Sequence, residues 1–208
     1  MAAFAYPKYR HTRRVPTPVY TDYPKYKPYL QREFERVCVY CRVPDTIGRA
    51  DFSIDHYRPQ AKFPRLVATY SNLFYSCSKC NRRKSAYWPA KLGDPEIPNP
   101  CDYVMTEHMR VVNGEVQAGS QHGEHAIKRL DLNEPAYLNF RKTALSVIRQ
   151  TRDKIAETDK KLGKLRKKLA AGDVSKARYD EWEAKFIDCK TRLTNDLAIW
   201  MGTVPLPP

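Results

Sequence analysis

The sequence predicts an α+β protein in which a cysteine-rich core of short strands and one short helix lies between an extended basic arm and an antiparallel helical hairpin. Three changes along the chain predict this. Residues 1–37 mix Tyr, Pro and basic side chains without a regular period, residues 38–138 carry short alternating runs and paired cysteines, and residues 139–208 repeat apolar side chains at helical spacing. The same changes set the expected domain boundaries.

The composition is that of a folded protein attracted to polyanions. Of the 208 residues, 42% are hydrophobic and 12% aromatic, which supplies a core and excludes wholesale disorder. The formal net charge is +14, and the two flanks carry +12 of it, so attraction to nucleic acid or an anionic surface is expected there. No run approaches the ~20 apolar residues that span a bilayer, and the first residues leave no room for a signal peptide. We therefore expect a cytoplasmic protein with reduced thiols and no membrane partner.

The N-terminal arm interleaves tyrosines with prolines and cations over its first 30 residues. The tyrosines are Tyr6, Tyr9, Tyr20, Tyr23, Tyr26 and Tyr29. Two interpretations follow: the arm tracks a nucleic-acid backbone through stacking and phosphate contacts, or it packs over its own domain. A short helix is expected from Leu30 to Val37, where the arm meets the core.

The core begins with alternating residues that predict a strand over 52–56, with Phe52, Ile54 and His56 on one face. Residues 72–77 are expected to pair with it, and residues 78–86 predict a short basic helix. The segment 90–135 is rich in Pro and Gly, which predicts loops and one small β-hairpin that turns at Asn113-Gly114.

The C-terminal part predicts two antiparallel helices separated by a Gly172 cap, with Asp173 as the candidate N-cap of the second. Apolar residues of the second helix recur at spacings of three and four: Tyr179, Trp182, Phe186, Cys189, Leu193, Leu197 and Trp200. The first helix also carries a dense run of cations: Lys160, Lys161, Lys164, Arg166, Lys167 and Lys168. Such a run is usually a solvated face, with contact to DNA as the minority alternative and partner binding by the hairpin as another.

Four of the six cysteines form two C-x-x-C pairs: Cys38 with Cys41 and Cys77 with Cys80. Two intervening residues let both sulfurs of a pair turn toward one point, and two pairs complete a tetrahedral zinc site. In a reducing compartment disulfides are disfavoured, while redox pairs or unrelated core thiols are the alternative. Because four sulfurs fill the coordination shell, this zinc is expected to be structural.

Residues suited to phosphodiester hydrolysis lie between the cysteine pairs and just after them. Asp55 and Asn81 offer the oxygen ligands that a hard divalent ion such as Mg²⁺ or Mn²⁺ prefers. His56 has the pKa range of a general base that activates water, and Asn72 is the candidate to orient its ring. The adjoining helix is expected to contact the substrate phosphates through its cations: Lys79, Arg82, Arg83 and Lys84.

These residues together resemble the HNH endonuclease family. The pattern is Cys38-x2-Cys41, Ile54-Asp55-His56-Tyr57-x-Pro59, Asn72-Leu73 and Cys77-x2-Cys80-Asn81-x2-Lys84-Ser85. The resemblance covers residues 38 to about 89 and implies a ββα-metal core with the four-cysteine zinc variant. It implies His56 as general base oriented by Asn72, Asp55 and Asn81 as ligands of the catalytic Mg²⁺, and Lys84 as a phosphate contact. The products would carry 5′ phosphate and 3′ hydroxyl ends.

Two positions depart from the family pattern. The loop from Gln60 to Ser71 has no glycine where many members carry a Gly-Gly pair, and the last motif residue is Asn81 rather than His. The segment Leu130 to Asn133, followed by a long helix, is loosely similar to HNH nucleases of bacterial anti-phage systems, including the Septu type. That similarity implies a defence setting and an ATPase partner or a homo-oligomer formed through the C-terminal helices.

Two rival functions remain beside a DNA endonuclease. One is a zinc-held nucleic-acid-binding module without catalysis, and the other is an adaptor whose C-terminal hairpin recruits a protein. RNA is also open as a substrate, because nothing in the sequence recognises the sugar.

Overall fold

A computed structural model describes residues 4–16, 19–47 and 51–203. The helices are α1 (Lys27–Glu33), α2 (Ser78–Lys84), α3 (Met105–His108), α4 (Gln121–Leu130), α5 (Pro135–Ala170) and α6 (Lys176–Met201). The strands are β1 (Phe52–His56), β2 (Leu73–Cys77), β3 (Met109–Val112) and β4 (Glu115–Ala118). The predicted α+β class is confirmed. None of the helices in these ranges is long and apolar enough to cross a membrane.

The core of the fold is a β-β-α unit. Strands β1 and β2 pair antiparallel, with Phe52 opposite Cys77 and His56 opposite Leu73. Helix α2 follows β2 directly and packs against both strands. The strand pair and the helix were predicted over nearly these residues, because alternating side chains mark the first strand and Trp88-Pro89 ends the short basic helix.

The N-terminal arm is extended, as predicted, and lies on the core. Phe4 and Tyr6 are buried, and the Tyr6 hydroxyl donates to the backbone carbonyl of Tyr40 at 2.8 Å. The Arg13 guanidinium donates to the carbonyls of Tyr70 and Leu73 at 2.6 and 2.8 Å. Of the two interpretations, packing over its own domain therefore describes the arm, although residues 17 and 18 lie outside the described ranges.

Helix α1 begins and ends earlier than the predicted range of 30–37. It stops at Glu33, and the backbone then turns at Glu35 and Arg36, whose φ angles are 54° and 59°. Consecutive residues in the left-handed region cannot continue an α-helix. This turn was not predictable from the sequence, since neither Glu35 nor Arg36 is a glycine.

The second hairpin turns at Asn113-Gly114, as predicted, with φ angles of 50° and 84° that a tight two-residue turn requires. Helix α4 was missed, because the segment 90–135 was expected to be loops. Ser120 caps α4 by accepting from the backbone N–H of Gly123. A Cβ at Gly123 would lie 1.8 Å from the carbonyl oxygen of His108, so only glycine fits this approach.

Helices α5 and α6 form the predicted antiparallel hairpin, 36 and 26 residues long. Gly172 has φ 77° in the connection, but Ser175 rather than Asp173 caps α6. The apolar stripe of α6 is less covered than expected: Tyr179 is its one fully buried residue, and Cys189 is exposed rather than in a core. The hairpin base meets the core where the Thr46 hydroxyl donates to the Ile199 carbonyl at 2.8 Å.

Candidate active site and four-cysteine centre

The two cysteine pairs meet at one point. The sulfurs of Cys38, Cys41, Cys77 and Cys80 all lie within 4.8 Å of one another, and all four residues are buried. The Cys41 and Cys77 sulfurs are 3.8 Å apart, close to the roughly 3.8 Å expected between sulfurs bound tetrahedrally to zinc at about 2.3 Å. The donor set and its spacing therefore suit zinc, as the sequence predicts.

Local backbone turns orient the four cysteine side chains toward their common point. In the first pair, Arg42 has φ 60° and its N–H donates to the carbonyl of Cys38, which folds the chain back on itself. In the second pair, the Cys77 sulfur caps α2 by accepting from the backbone N–H of Cys80 at 3.4 Å. The centre thus joins the turn before β1 to the junction of β2 and α2.

A tyrosine from α5 completes the surroundings of the sulfurs. The Tyr137 hydroxyl lies 3.4 Å from the Cys77 sulfur and 3.9 Å from that of Cys80. Burial, and then the nearby cysteines, raises the pKa of Tyr137, so its hydroxyl stays protonated and can donate to the sulfurs. Sequence analysis missed this residue, because a tyrosine 57 residues after Cys80 gives no spacing signal.

The Asp55 side chain lies on the face of β1 that packs against α2. Its carboxylate accepts from the Tyr40 hydroxyl at 2.6 Å and from the Lys84 ammonium at 3.0 Å. The side chains of Asp55 and Lys84 are each 2% exposed. Burial, and then the Asp55 charge, raises the pKa of Tyr40, which keeps the donated proton on the phenol. Tyr40 was also missed, although it lies inside the first cysteine pair.

Lys84 differs from its predicted role as a phosphate contact. Its ammonium donates to the Asp55 carboxylate and, at 2.6 Å, to the carbonyl of His56. The physical reason is the spacing along α2: the side of the helix that carries Asn81 and Lys84 faces β1. In this arrangement Lys84 supports the end of β1 from inside, and its contact with a substrate phosphate stays a prediction.

One ring nitrogen of His56, Nε2, has a backbone hydrogen-bond partner. Its Nε2 lies 2.9 Å from the carbonyl oxygen of Val67, which accepts a hydrogen bond only if Nε2 carries the proton. Nδ1 is then the acceptor, and the Gln60 amide donates to it at 2.8 Å. The Tyr23 ring lies edge-on to the imidazole, with centroids 4.7 Å apart. Burial is the main cause that lowers the pKa of His56, so the ring is neutral at pH 7.

Asn72 shapes the loop around His56 without a hydrogen bond to the ring within the described chain. Its amide accepts from the N–H of Arg58 at 2.8 Å and donates to the carbonyls of Arg58 and Leu66 at 3.1 and 3.3 Å. Leu66 precedes Val67, whose carbonyl holds the ring. Asn72 therefore fixes the loop that supplies the partner of His56, which is a less direct role than the predicted one.

Asn81 meets β1 near its centre. Its amide nitrogen donates to the Ser53 hydroxyl at 2.9 Å and to the Ile54 carbonyl at 3.1 Å. The amide oxygen has no hydrogen-bond partner among the described residues and stays available to a ligand. No hydrogen bond in those ranges joins Asn81 to Asp55 or His56, so the shared position on β1 and α2 is what brings these residues together.

The remaining cations of α2 divide into two groups. Lys79 and Arg83 are paired with Glu134 and lie beside the ring of Tyr137, and Arg83 also pairs with Asp131. Arg82 is exposed and has no ion-pair partner in the described parts of the chain. Of the four cations predicted to contact phosphate, Arg82 is thus the one presented to solvent without a carboxylate.

Comparison with known proteins agrees with this geometry. A family model of the HNH endonucleases matches residues 38–86. The chain is also similar to the Septu protein PtuB of Bacillus thuringiensis, at 27% identity over 112 residues. That match covers 52% of this chain and 42% of the relative, so the chain spans less than half of the relative's length. Residues 38–86, which hold the β-β-α unit and the four-sulfur centre, are thus similar in sequence to an HNH endonuclease domain.

Proposed function

We propose that the protein is a divalent-metal-dependent endonuclease that hydrolyses phosphodiester bonds in DNA, with His56 as general base. The family match supports a nuclease-type function. The observation that carries the mechanism is the 2.9 Å contact between His56 Nε2 and the Val67 carbonyl. This contact leaves Nδ1, with its lone pair, as the ring nitrogen that takes a proton.

The base chemistry follows from the surroundings of the ring. A buried, neutral imidazole accepts the proton of a water molecule at pH 7 and later returns it to solvent. The Gln60 amide now bonded to Nδ1 belongs to an exposed side chain, which can turn aside at small cost when water or substrate enters. The Tyr23 ring limits the angles from which substrate can approach.

The residues beside His56 fit a hard divalent ion. A carboxylate offers about four lone-pair sites. Tyr40 and Lys84 occupy two of those on Asp55, which leaves two for a metal ion. The Asn81 amide oxygen is also free to coordinate. Mg²⁺ commonly takes one or two protein oxygens and keeps several waters. Asp55 and Asn81 would hold the ion, which would offset the charge that develops on the leaving 3′ oxygen. Arg82, exposed on the same helix, would bind a substrate phosphate.

The test is a cleavage assay on supercoiled plasmid with titrated Mg²⁺ and Mn²⁺. We expect His56→Ala to lower the cleavage rate at least 100-fold, the scale of a lost general base, while zinc content and unfolding change little. His125→Ala is the control, because it removes a half-buried imidazole that lies outside the proposed site. Cleavage by His56→Ala at the parental rate would refute the assignment. End-group analysis should find 5′ phosphate and 3′ hydroxyl.

A non-catalytic nucleic-acid-binding module is the second candidate. It is favoured by the internal partners of Asp55 and by the Gln60 amide on Nδ1, because a pure binding module needs neither group free. Binding of DNA without metal, combined with no cleavage of plasmid or single-stranded RNA after Mg²⁺ or Mn²⁺ is added, would identify it. Cleavage of RNA alone would instead change the substrate class.

The similarity to a Septu protein supports a defence setting, which we include in the proposal. In that setting the protein would act with a partner, either a second copy or an ATPase, bound through α5 and α6. Plaque counts on cells that carry the native locus should rise when His56 is replaced. Size measurements of the purified protein would show whether it associates with itself.

A further inference from the structure

We propose that the distal half of α5 binds the phosphate backbone of a nucleic-acid duplex at a distance from the active site. The binding surface is the lysine stripe, defined as Lys160, Lys164, Lys167 and Lys168. This inference extends the proposed function, on which its choice of ligand rests.

The four lysines of the stripe share one face of the helix. Positions 160, 164, 167 and 168 fall within an arc of about 100° at 3.6 residues per turn. All four side chains are exposed, and none has an ion-pair partner within the described chain. Between residues 160 and 172 the sequence contains no acidic residue. The stripe is therefore a concentration of positive charge without ion pairs among the described residues.

Four cations elsewhere on the hairpin, by contrast, have local partners on the same helix. Lys161 pairs with Glu157, Lys176 with Asp180, Lys185 with Glu181 and Arg192 with Asp188, each four residues apart. This is the pattern of an ordinary solvated helix surface. The stripe departs from that pattern because four lysines without ion pairs in the described chain lie within nine residues on one face of α5. Arg149, Lys154 and Arg178 also lack ion pairs there, but they are not clustered in this way.

The helix dipole explains only part of the stripe. Cations in the last turn of a helix are stabilised by its negative end, which accounts for Lys167 and Lys168 just before Ala170. The effect is confined to that turn, so it does not extend to Lys160 and Lys164. These two repel each other at a spacing of four residues, and a polyanion would relieve the repulsion.

Distances along α5 place the stripe far from the cysteine centre. Tyr137 touches that centre, and Lys160 and Lys168 lie 23 and 31 residues farther along the same helix. At 1.5 Å per residue these separations are about 35 and 47 Å. With base pairs spaced about 3.4 Å apart, the stripe would contact a duplex roughly 10 to 14 base pairs from the position bound by the core.

The experiment compares two variants of the full chain that lose the same charge. The stripe variant carries Lys160→Gln, Lys164→Gln, Lys167→Gln and Lys168→Gln. The matched control removes four paired cations through Lys161→Gln, Lys176→Gln, Lys185→Gln and Arg192→Gln. Fluorescence anisotropy without added divalent ion measures affinity for duplexes of 16 and 40 base pairs over a range of salt concentrations, beside vesicles that contain phosphatidylserine.

We expect the stripe variant to bind the 40-base-pair duplex at least tenfold more weakly at about 0.1 M salt. Its plot of log affinity against log salt should be flatter by about 3 to 4, one phosphate contact per lysine. Its binding to the 16-base-pair duplex should weaken less, because that duplex is about 54 Å long and reaches the stripe only when one of its ends lies at the core site. The control should lose less than threefold, since distant charges are screened over about 8 to 10 Å.

Three outcomes would overturn the inference. Equal losses in both variants would make the stripe an ordinary solvated face. Equal losses on both duplex lengths would refute its distance from the core site. Weaker vesicle binding with unchanged duplex binding would assign the stripe to a membrane surface. None of these readouts needs cleavage, so a failure of the proposed endonuclease activity would be seen separately, in the His56 assay.

Discussion

Two groups contact the His56 ring: the Val67 carbonyl lies against Nε2, and the Gln60 amide lies closer to Nδ1, at 2.8 Å, than to Nε2, at 3.2 Å. Together they favour the tautomer on which the proposed mechanism depends. The Val67 carbonyl accepts from Nε2, while Nδ1 faces an amide that can leave. The motif Asp55-His56 predicted both residues, because their chemistry and position are visible in the sequence. The carbonyl of Val67 was not predictable, since any residue supplies the same backbone group.

Burial of His56 predicts a pH dependence. Because burial lowers the pKa of the ring, the acidic limb of the rate profile should have its midpoint below 6.5, the ordinary value. Stability should follow the same direction: as pH falls below about 6.5 the unfolded chain binds a proton that the folded ring resists, so unfolding becomes easier. Plasmid cleavage and urea unfolding between pH 5 and 8 measure both effects. A midpoint above 7 would contradict the assigned environment.

The Asp55–Lys84 pair predicts a large loss of stability when one partner is removed. Lys84→Met leaves the Asp55 carboxylate buried with Tyr40 as its remaining partner, which should cost roughly 3 to 5 kcal/mol of unfolding free energy. The double variant Asp55→Asn with Lys84→Met should recover part of that loss. Lys91→Met, at an exposed lysine, is the control. Urea titration measures all of them, and a cost below 1 kcal/mol for Lys84→Met would show that the ammonium is not buried against Asp55.

At the scale of elements, the four-cysteine centre joins the turn that carries Cys38 and Cys41 to the junction of β2 and α2. The spacing of the cysteines predicted the centre, since two C-x-x-C pairs have few other uses at this length. The same reasoning did not predict the face that α2 turns to β1. Helical spacing shows that Asn81 and Lys84 share a side, but a lysine is normally solvated, so its burial is decided by the Asp55 carboxylate across the interface.

Removing one sulfur should remove the metal and the fold together. Apparent zinc binding in small structural sites is about 10 to 16 kcal/mol, which is folding free energy when the site forms only in the folded chain. Cys77→Ser should therefore lose zinc and cooperative unfolding, while Cys101→Ser, outside the cluster, should retain both. Metal analysis and thermal unfolding measure this. Retention of zinc by Cys77→Ser would show that the four sulfurs do not act as one site.

Tyr137→Phe isolates the contribution of α5 to the centre. The substitution removes the hydroxyl near the Cys77 and Cys80 sulfurs but keeps the ring that contacts Lys79. Loss of a hydrogen bond to metal ligands should weaken zinc binding about 10- to 100-fold without unfolding the protein. Competition with a coloured chelator measures the affinity. Tyr103→Phe, distant from the sulfurs, should leave it unchanged, and equal affinities for both variants would rule out the contact.

At the scale of the whole molecule, the patterns of charge and apolar residues predicted the order of arm, core and hairpin along the chain. They predicted less well which residues of these parts are in contact. The hairpin was predictable because its apolar residues recur at spacings of three and four over many turns. Its incomplete burial was not, since periodicity shows which residues share a face and does not show what covers that face. Cys189 illustrates the difference, for it lies on the predicted stripe and remains exposed. Helix α4 was missed because its histidines and glycine hide the apolar period.

The contacts of Tyr137 and Glu134 also affect where the protein can be shortened. The match to the endonuclease family model ends at residue 86, but a fragment that ended there would expose the Cys77 and Cys80 sulfurs and remove Glu134, the acidic partner of Lys79 and Arg83. The smallest self-sufficient piece should therefore extend past the first turn of α5. The residues that match the family model are therefore not all the residues that the folded domain needs.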